Sequence, residues 1–360
     1  MGTKKAEDLS DREQAGLRGP VKVCTEETVY GAADSFPERK VTTNKEFDRD
    51  GRLLSTRTTN ANGPDWVANY AYDAAGHLLS VSSGLLGRES VESVYSYDDN
   101  GRLLRVANPR SGSRSEYHYD QEGRKIELRT PEPRSQGGAV AFGGGPFAAA
   151  QVGFGAPQGG SFKIIYNERD VATEVQTLDV EGHVVSRVVR TFDEDGRVLG
   201  EKQVFENFQF IIPPEQRAKA MAESGLSAEA LAAELDKQLR ATLGADASFF
   251  ASSSKYDAQG RLVEVRSRMG PDSERIVTTA YNERGDIATE TNATTWQVNA
   301  NNGGATNAAG PALPPERFAH RYDYTYDSFG NWTERVTKLS SKPGEPFTNS
   351  STTRRTITYY

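Results

Sequence analysis

One short phrase recurs along the chain: an aromatic residue, Asp, two variable residues, Gly, a polar residue, then a mostly aliphatic pair. It first reads Phe47-Asp48-Arg49-Asp50-Gly51-Arg52-Leu53-Leu54. It returns from Tyr72 to Leu79, Tyr97 to Leu104, Tyr119 to Ile126, Phe192 to Leu199 and Tyr256 to Val263. Looser copies begin at Tyr166, Leu178, Tyr281 and Tyr326. Catalytic residues do not recur in this way, so the phrase specifies architecture.

The residues around each phrase alternate. Tyr95 and Tyr97 are two apart and share one face of a strand, as do Tyr70 with Tyr72 and Tyr117 with Tyr119. Leu104 and Val106 repeat the spacing after the turn, as do Val263 and Val265. This is the pattern of antiparallel strands with one better-buried face. Between them Asp can accept backbone N–H groups, and Gly supplies the left-handed backbone of a turn with a bulge. The turn-forming pairs are Asp48 and Gly51, Asp73 and Gly76, Asp98 and Gly101, and Asp120 and Gly123. Asp193 and Gly196, Asp257 and Gly260, and Asp327 and Gly330 complete the set. The residue after Gly is usually Arg or His, placed to pair with a carboxylate or to cover a Tyr ring.

The expected fold is all-β: an antiparallel meander of about twenty strands with one inserted helical hairpin. Twenty strands at roughly 4.8 Å would span about 100 Å if flat. Open sheets of more than about ten strands curl or split, so the sheet should roll into an incomplete shell or barrel-like form. Residues 1–19 read as a flexible N-terminal tail and 20–360 as a single β domain. Its insertions are 131–161 (Gly/Ala/Pro-rich, expected disordered), 207–248 (the helical hairpin) and 292–317 (an Asn/Gly/Ala loop). In the hairpin, Pro214 opens one helix and Gly225 ends it, while Ser227 caps the next.

Composition narrows function mainly by exclusion. A net charge of −7 argues against sequence-independent nucleic-acid binding. The single cysteine, Cys24, rules out a disulfide framework and paired-cysteine zinc sites, and it reads as a buried strand residue. No apolar run reaches the length of a transmembrane helix, and no signal peptide is visible. The turns Asp48–Gly51 and Asp193–Gly196 lack the further oxygen ligands of a calcium loop, and no two histidines have metal-ligand spacing. No metal, cofactor or catalytic residue is therefore assigned.

The repeated phrase resembles the YD repeat of the RHS-repeat proteins over roughly residues 20–340, apart from the insertions. That resemblance implies β-hairpins of a long spiralling sheet that encloses a hollow shell. It implies a small member acting as an extracellular, cell-surface or periplasmic scaffold, with a glycan or a protein as candidate partner. The chain reads as a monomer, and the toxin-delivery role of large members does not carry over. Candidate sugar-stacking residues are Trp66, Tyr70, Tyr72, Tyr95, Tyr97, Tyr117, Tyr119, Tyr322 and Tyr324, set against a purely structural Tyr ladder. Two alternatives stay open: an outer-membrane β-barrel, and a carbohydrate-active enzyme with carboxylates in a sheet cleft.

Overall fold

A computed structural model describes residues 9–31, 37–60, 63–129, 160–206, 214–243, 248–269, 273–296, 316–342 and 344–360. The alternating segments form strands β1 (Val21–Tyr30), β2 (Arg39–Phe47), β3 (Leu53–Asn60), β4 (Trp66–Tyr72), β5 (Leu78–Leu85), β6 (Ser90–Tyr97) and β7 (Leu103–Ala107). They continue as β8 (Arg114–Tyr119), β9 (Lys125–Arg129), β10 (Ser161–Tyr166), β11 (Ala172–Leu178), β12 (Val184–Phe192) and β13 (Val198–Phe205). The last seven are β14 (Ser248–Tyr256), β15 (Leu262–Met269), β16 (Ser273–Tyr281), β17 (Ile287–Trp296), β18 (Glu316–Tyr326), β19 (Trp332–Ser340) and β20 (Thr348–Tyr359). Helices are α1 (Asp11–Gln14), α2 (Pro214–Ser224) and α3 (Ala228–Leu243). Gly225 ends α2 at φ 68°, and the Ser227 hydroxyl accepts the Ala230 N–H at 3.2 Å to cap α3.

Each strand pairs antiparallel with the next, and β20 pairs with β1. The sheet is therefore a closed up-and-down barrel of 20 strands, one step beyond an incomplete shell. Its girth is about 96 Å at roughly 4.8 Å per strand, or about 30 Å across if circular. A barrel of about eight strands is filled by its own side chains, whereas one of about sixteen leaves a lumen. Burial here is accordingly local. One cluster joins Tyr117, Leu128, Phe162, Ile164, Ala172 and Val175, and another joins Leu17, Val21, Cys24 and Phe47. Strand β17 runs on to Trp296 by pairing with β16, and β18 starts at Glu316, so the sheet extends further on both sides of the third insertion than expected. Residues 130–159 and 297–315, the bulk of two expected insertions, lie outside the described residues.

Register separates two faces. Tyr70 faces Val81, Tyr95 faces Val106, Tyr117 faces Leu128, and Leu128 faces Phe162. The same face continues through Val175, Val188 and Gln203, and it carries Tyr324 on β18. The other face carries cross-strand ion pairs such as Lys40–Glu27, Lys255–Glu264, Lys338–Asp323 and Arg354–Glu334. Most buried strand residues, including Cys24, Leu128, Phe162, Val175 and Phe205, lie on the tyrosine face. Side chains converge on the concave side of a closed sheet and diverge on its convex side, so the tyrosine face lines the lumen.

The repeated phrase works between hairpins as well as within them. Asp48 accepts the Arg52 backbone N–H at 2.9 Å and the same residue's Nε at 2.5 Å. Arg102, Arg124, Arg197 and Arg261 repeat the guanidinium bond to their own turn Asp at 2.6 to 2.7 Å. Each of these cations then lies over the phrase Tyr of the next hairpin in chain order that has one. Arg52 covers Tyr72, Arg102 covers Tyr119, Arg124 covers Tyr166, Arg197 covers Tyr256 and Arg261 covers Tyr281, at 4.7 to 5.5 Å. His77 serves the same purpose, stacking on Tyr97 at 4.8 Å. Each Tyr hydroxyl returns the contact by donating to the carbonyl just after the cation: Leu53, Leu78, Leu103, Lys125, Val198 and Leu262, at 2.8 to 2.9 Å. Pairing with a carboxylate and covering a ring thus occur together. At 167–170, Asp170 replaces the glycine and takes φ 56° itself.

Residues 9–20 are anchored, in contrast to the flexible tail expected for 1–19. Ser10 and Glu13 form a reciprocal capping box on α1. The Arg12 N–H donates to the Gly51 carbonyl at 3.0 Å, and the Asp11 carboxylate accepts the Leu53 N–H at 2.8 Å. Leu17 is 3% exposed and packs with Val21, Cys24 and Phe47. At the other side of the seam, Asn331 is fully enclosed and accepts the Arg18 N–H at 2.6 Å. It also donates to the Arg18 carbonyl at 2.9 Å and the Tyr359 hydroxyl at 2.8 Å. A lone Leu in a polar stretch gives little sequence signal, because its partners come from both ends of the chain.

Candidate ligand-binding face

The turn carboxylates are occupied. Asp48, Asp98, Asp120, Asp193 and Asp257 each hold a backbone N–H and an arginine, as described above. Asp73 and Asp179 hold His77 and His183 at 2.9 and 3.0 Å. Burial alone would raise the Asp48 and Asp193 carboxyls, but the N–H groups and guanidiniums facing them outweigh it and keep both below the ordinary carboxylate range. At Asp73 the His77 side chain is the main cause of the same depression. A carboxyl held ionised by its own turn is poorly suited to act as a general acid.

The candidate aromatic residues all lie on the lumenal face, in two separate sectors. Trp66, Tyr70 and Tyr72 stand on β4, Tyr95 and Tyr97 on β6, and Tyr117 and Tyr119 on β8. Tyr72, Tyr97 and Tyr119 spend their hydroxyls on the hairpin interlock, and Tyr117 is buried among Leu128 and Phe162. Trp66 is 46% exposed. Tyr322 and Tyr324 stand apart on β18, six strands away through the seam.

That second sector holds a dense row of rings. Phe318, His320, Tyr322, Tyr324 and Tyr326 alternate along β18, with successive centroids 5.6, 6.1, 6.5 and 5.9 Å apart. Trp332, at the start of β19, lies 6.3 Å from Tyr324. Tyr324 faces Arg335 across the β18–β19 pair, and Arg335 faces Thr353 on β20. The Arg335 guanidinium lies 5.8 Å from the Tyr322 ring and 5.0 Å from the Trp332 ring. Arg355 sits over Trp332 at 3.4 Å and pairs with Glu26 at 2.7 Å. Burial pushes the Tyr324 hydroxyl up to about 12, so it stays neutral, donating to the Ile287 carbonyl at 2.8 Å. Flat rings edged by cationic N–H groups suit a ligand with both apolar faces and hydrogen-bonding rims.

The hairpin interlock and the recurring phrase coincide with a known repeat: residues 97–134 match the RHS repeat. The chain carries an RHS repeat. Among solved structures, this RHS-repeat chain is similar to TcdB2-TccC3 without its hypervariable C-terminal region, at 15% identity and a TM-score of 0.34. That match covers 86% of this chain and 15% of the other, so the chain spans about 15% of its length. A porin-like protein from Bacteroides uniformis matches at 10% identity and a TM-score of 0.33, over 95% of this chain and 98% of that one. A Photorhabdus luminescens Tc holotoxin pore matches at 12% identity and a TM-score of 0.24, over 90% and 18% of the two chains. No curated protein matches.

Two other features of the barrel resemble sites. Asp179, Glu181 and His183 offer ligand atoms within 4.8 Å of one another, the arrangement a metal ion would need. His183 lies 3.0 Å from Asp179 and 3.5 Å from Glu181, much as Arg197 lies 2.6 Å from Asp193 and 2.8 Å from Asp195. The trio is therefore the usual turn with an imidazole in the guanidinium slot, and it is assigned no metal. A groove of about 580 Å³ has Ile276, Ala293, Gly344 and Phe347 in its lining. Its charges are largely self-paired, Arg266 with Glu264 at 2.8 Å and Lys342 with Glu345 at 3.7 Å. His320, Trp332, Arg335 and Arg355 were not foreseen from sequence. Extending the Tyr322–Tyr326 alternation one step back reaches His320, but the arginines come into view only through strand register.

Proposed function

We propose that the chain is a non-enzymatic repeat scaffold acting outside the cytoplasm, whose lumenal ring row on β18 and β19 binds carbohydrate. The observation that carries the reading is the run of five rings along one strand beside Trp332 and two arginines. Single cations cover structural rings elsewhere, as Lys125 covers Tyr117 and Arg102 covers Tyr119, whereas here two guanidiniums share one indole. The non-enzymatic part is supported by the turn carboxylates, each engaged by its own turn. The described residues hold no helix long and apolar enough to cross a membrane. A glycan array probed with the full chain, followed by titration of its tryptophan fluorescence, tests the proposal. Binding that Trp332→Ala abolishes without changing the melting temperature is the expected result. An array without hits sinks it.

Closure at 20 strands favours a second reading, a membrane barrel. Strands of 5 residues at β7 and β9 fall short of the roughly 9–11 that crossing requires. The convex face would also place its ion pairs in lipid. Extraction without detergent as a soluble monomer would end that reading.

A further inference from the structure

The convex face carries long charged pairs such as Lys338–Asp323 and Arg354–Glu334, yet between β15 and β19 it is hollow. Ala319, Thr291, Thr278 and Glu264 face one another in a row from β18 to β15, and Ser340 of β19 faces Ala319. Alongside, Arg317, Ala293, Ile276 and Arg266 form a second row. Glu264 places both rows on the convex side, where it pairs with Lys255 at 3.0 Å. Short Ala and Thr side chains occupy the middle of the rows, so the surface sinks there into the groove of about 580 Å³. The Thr278 and Thr291 hydroxyls bond to each other, which makes the floor less polar than its residue types imply. From β15 to β18 the trough runs about 14 Å across the strands, three spacings of roughly 4.8 Å.

Residues 340–347 wall one end. Ser340 is 6% exposed, and its hydroxyl lies 2.9 Å from the Lys342 carbonyl and 3.1 Å from the Glu345 carbonyl. The Glu345 N–H donates to the Lys342 carbonyl at 3.2 Å. The loop is thus tied to itself, with Phe347 in the lining. A preformed hollow of this size, apolar in the middle with a few polar groups at its ends, is the usual form of a small-ligand site. Charge then distinguishes the ends. At β15, Arg266 is held by Glu264 at 2.8 Å and lies 3.9 Å from Glu274. At the loop, two cations meet one carboxylate. Lys342 lies 3.7 Å from Glu345, while Arg317 is exposed and has no carboxylate partner among the described residues. An arginine on an open surface is ordinary, but at the end of an apolar trough its guanidinium fork favours a carboxylate that carries an apolar body.

We infer that this groove binds an amphipathic monocarboxylate of fatty-acid type. Its chain lies across β15–β18 over Ile276 and Ala293, and its carboxylate meets the Arg317 guanidinium. The site is on the opposite face of the sheet from the ring row and does not depend on the carbohydrate reading. Calorimetric titration of the full chain with decanoate, and with decanol as its neutral counterpart, tests the inference. The expected result is saturable binding at one site, at least about tenfold tighter for the acid. Arg317→Gln should bring the acid down to the alcohol, and Arg317→Lys, which keeps the charge without the fork, should restore part of the gap. Arg354→Gln, elsewhere on the convex face, should leave the gap intact, which controls for general charge loss. Ala293→Trp fills the trough and should abolish binding of both ligands at an unchanged melting temperature; if that variant does not fold, Thr291→Trp on the same floor takes its place. No saturable binding, equal binding of acid and alcohol, or binding that survives the filled trough would overturn the inference. So would a dimer in sedimentation that Ala293→Trp breaks, because a second copy would then occupy the groove.

Discussion

Replacing Gly101 by Ala tests whether the repeats interlock through their turn glycines. Gly101 sits at φ 77°, where a side chain costs about 1–2 kcal/mol. A Cβ there would also meet His77 Nε2 at 2.8 Å. The imidazole belongs to the preceding hairpin and stacks on Tyr97, so making room for Cβ forfeits that stack, worth about 0.5–1.5 kcal/mol. Gly101→Ala should therefore cost about 1.5–3.5 kcal/mol. Gly196 provides the control: its φ is 78°, but a Cβ there meets nothing within 4 Å. Gly196→Ala should cost only the backbone part, about 1–2 kcal/mol. Urea denaturation followed by circular dichroism measures both. The double variant His77→Ala/Gly101→Ala should cost less than the sum of the two single changes, because the stack is already gone and no ring is left to displace. Equal costs for the two single alanines, or strict additivity in the double variant, would refute the idea that one hairpin's side chain sits in the next hairpin's glycine gap.

Four further outcomes follow from the same contacts. Tyr119→Phe removes only the hydroxyl that donates to Leu103 at 2.8 Å and should lower stability by about 0.5–1.5 kcal/mol in the same assay. Leu17→Ala hollows the seam cluster and should cost about 2–5 kcal/mol, with earliest loss of amide protection along β1 and β20 by hydrogen exchange. Asp48, Asp98, Asp120, Asp179, Asp193 and Asp257 are all held below their ordinary value. Their contribution is complete above about pH 4 and drains as pH falls through the depressed folded values, while that of Tyr324 and Tyr359, both raised to about 12, drains as pH rises through that value. Denaturation midpoints scanned over pH should fall at both ends, and a flat acid limb would contradict the turn assignments. Cys24 is fully buried, which pushes its thiol up to about 11, so a thiol reagent should react only after denaturant is added.

Local parts of this architecture were legible because each is written within about ten residues. Tyr97 to Leu104 names a strand end, a turn and a strand start in order, and the structure places all three as read. Gly225 and Ser227 likewise mark helix ends that their own neighbours satisfy. Closure was not legible. The contacts that close the barrel join Arg18 to Asn331 and Tyr360 to Phe47, more than 300 positions apart, without any repeated motif to announce them. The candidate face was half legible for the same reason. Tyr322 and Tyr324 declare themselves by alternation, but Arg335 and Arg355 reach the patch through pairings of β18, β19 and β20 that only the folded sheet defines.

The interlock explains why closing the ring is favourable. An open row of hairpins would leave its first turn without a preceding cation and its last without a following tyrosine. Repeat proteins ordinarily meet this problem with atypical end units. Here the two ends of the described chain do it for each other. Ser10 and Arg12 fill the space over Gly51 that a preceding cation fills elsewhere, and Arg18 does the same over Gly330. The Tyr360 hydroxyl donates to the Phe47 carbonyl at 2.6 Å, while Arg49 lies 5.6 Å from its ring. Tyr359 bonds to Asp327 of the last turn. The seam therefore reproduces the contacts of an ordinary hairpin junction with different residues. It also brings β20 beside β1, which sets Glu26 against Arg355. The candidate binding patch thus depends on closure: opening the seam would strip Arg355 of its partner and should weaken ligand binding before any ring moves.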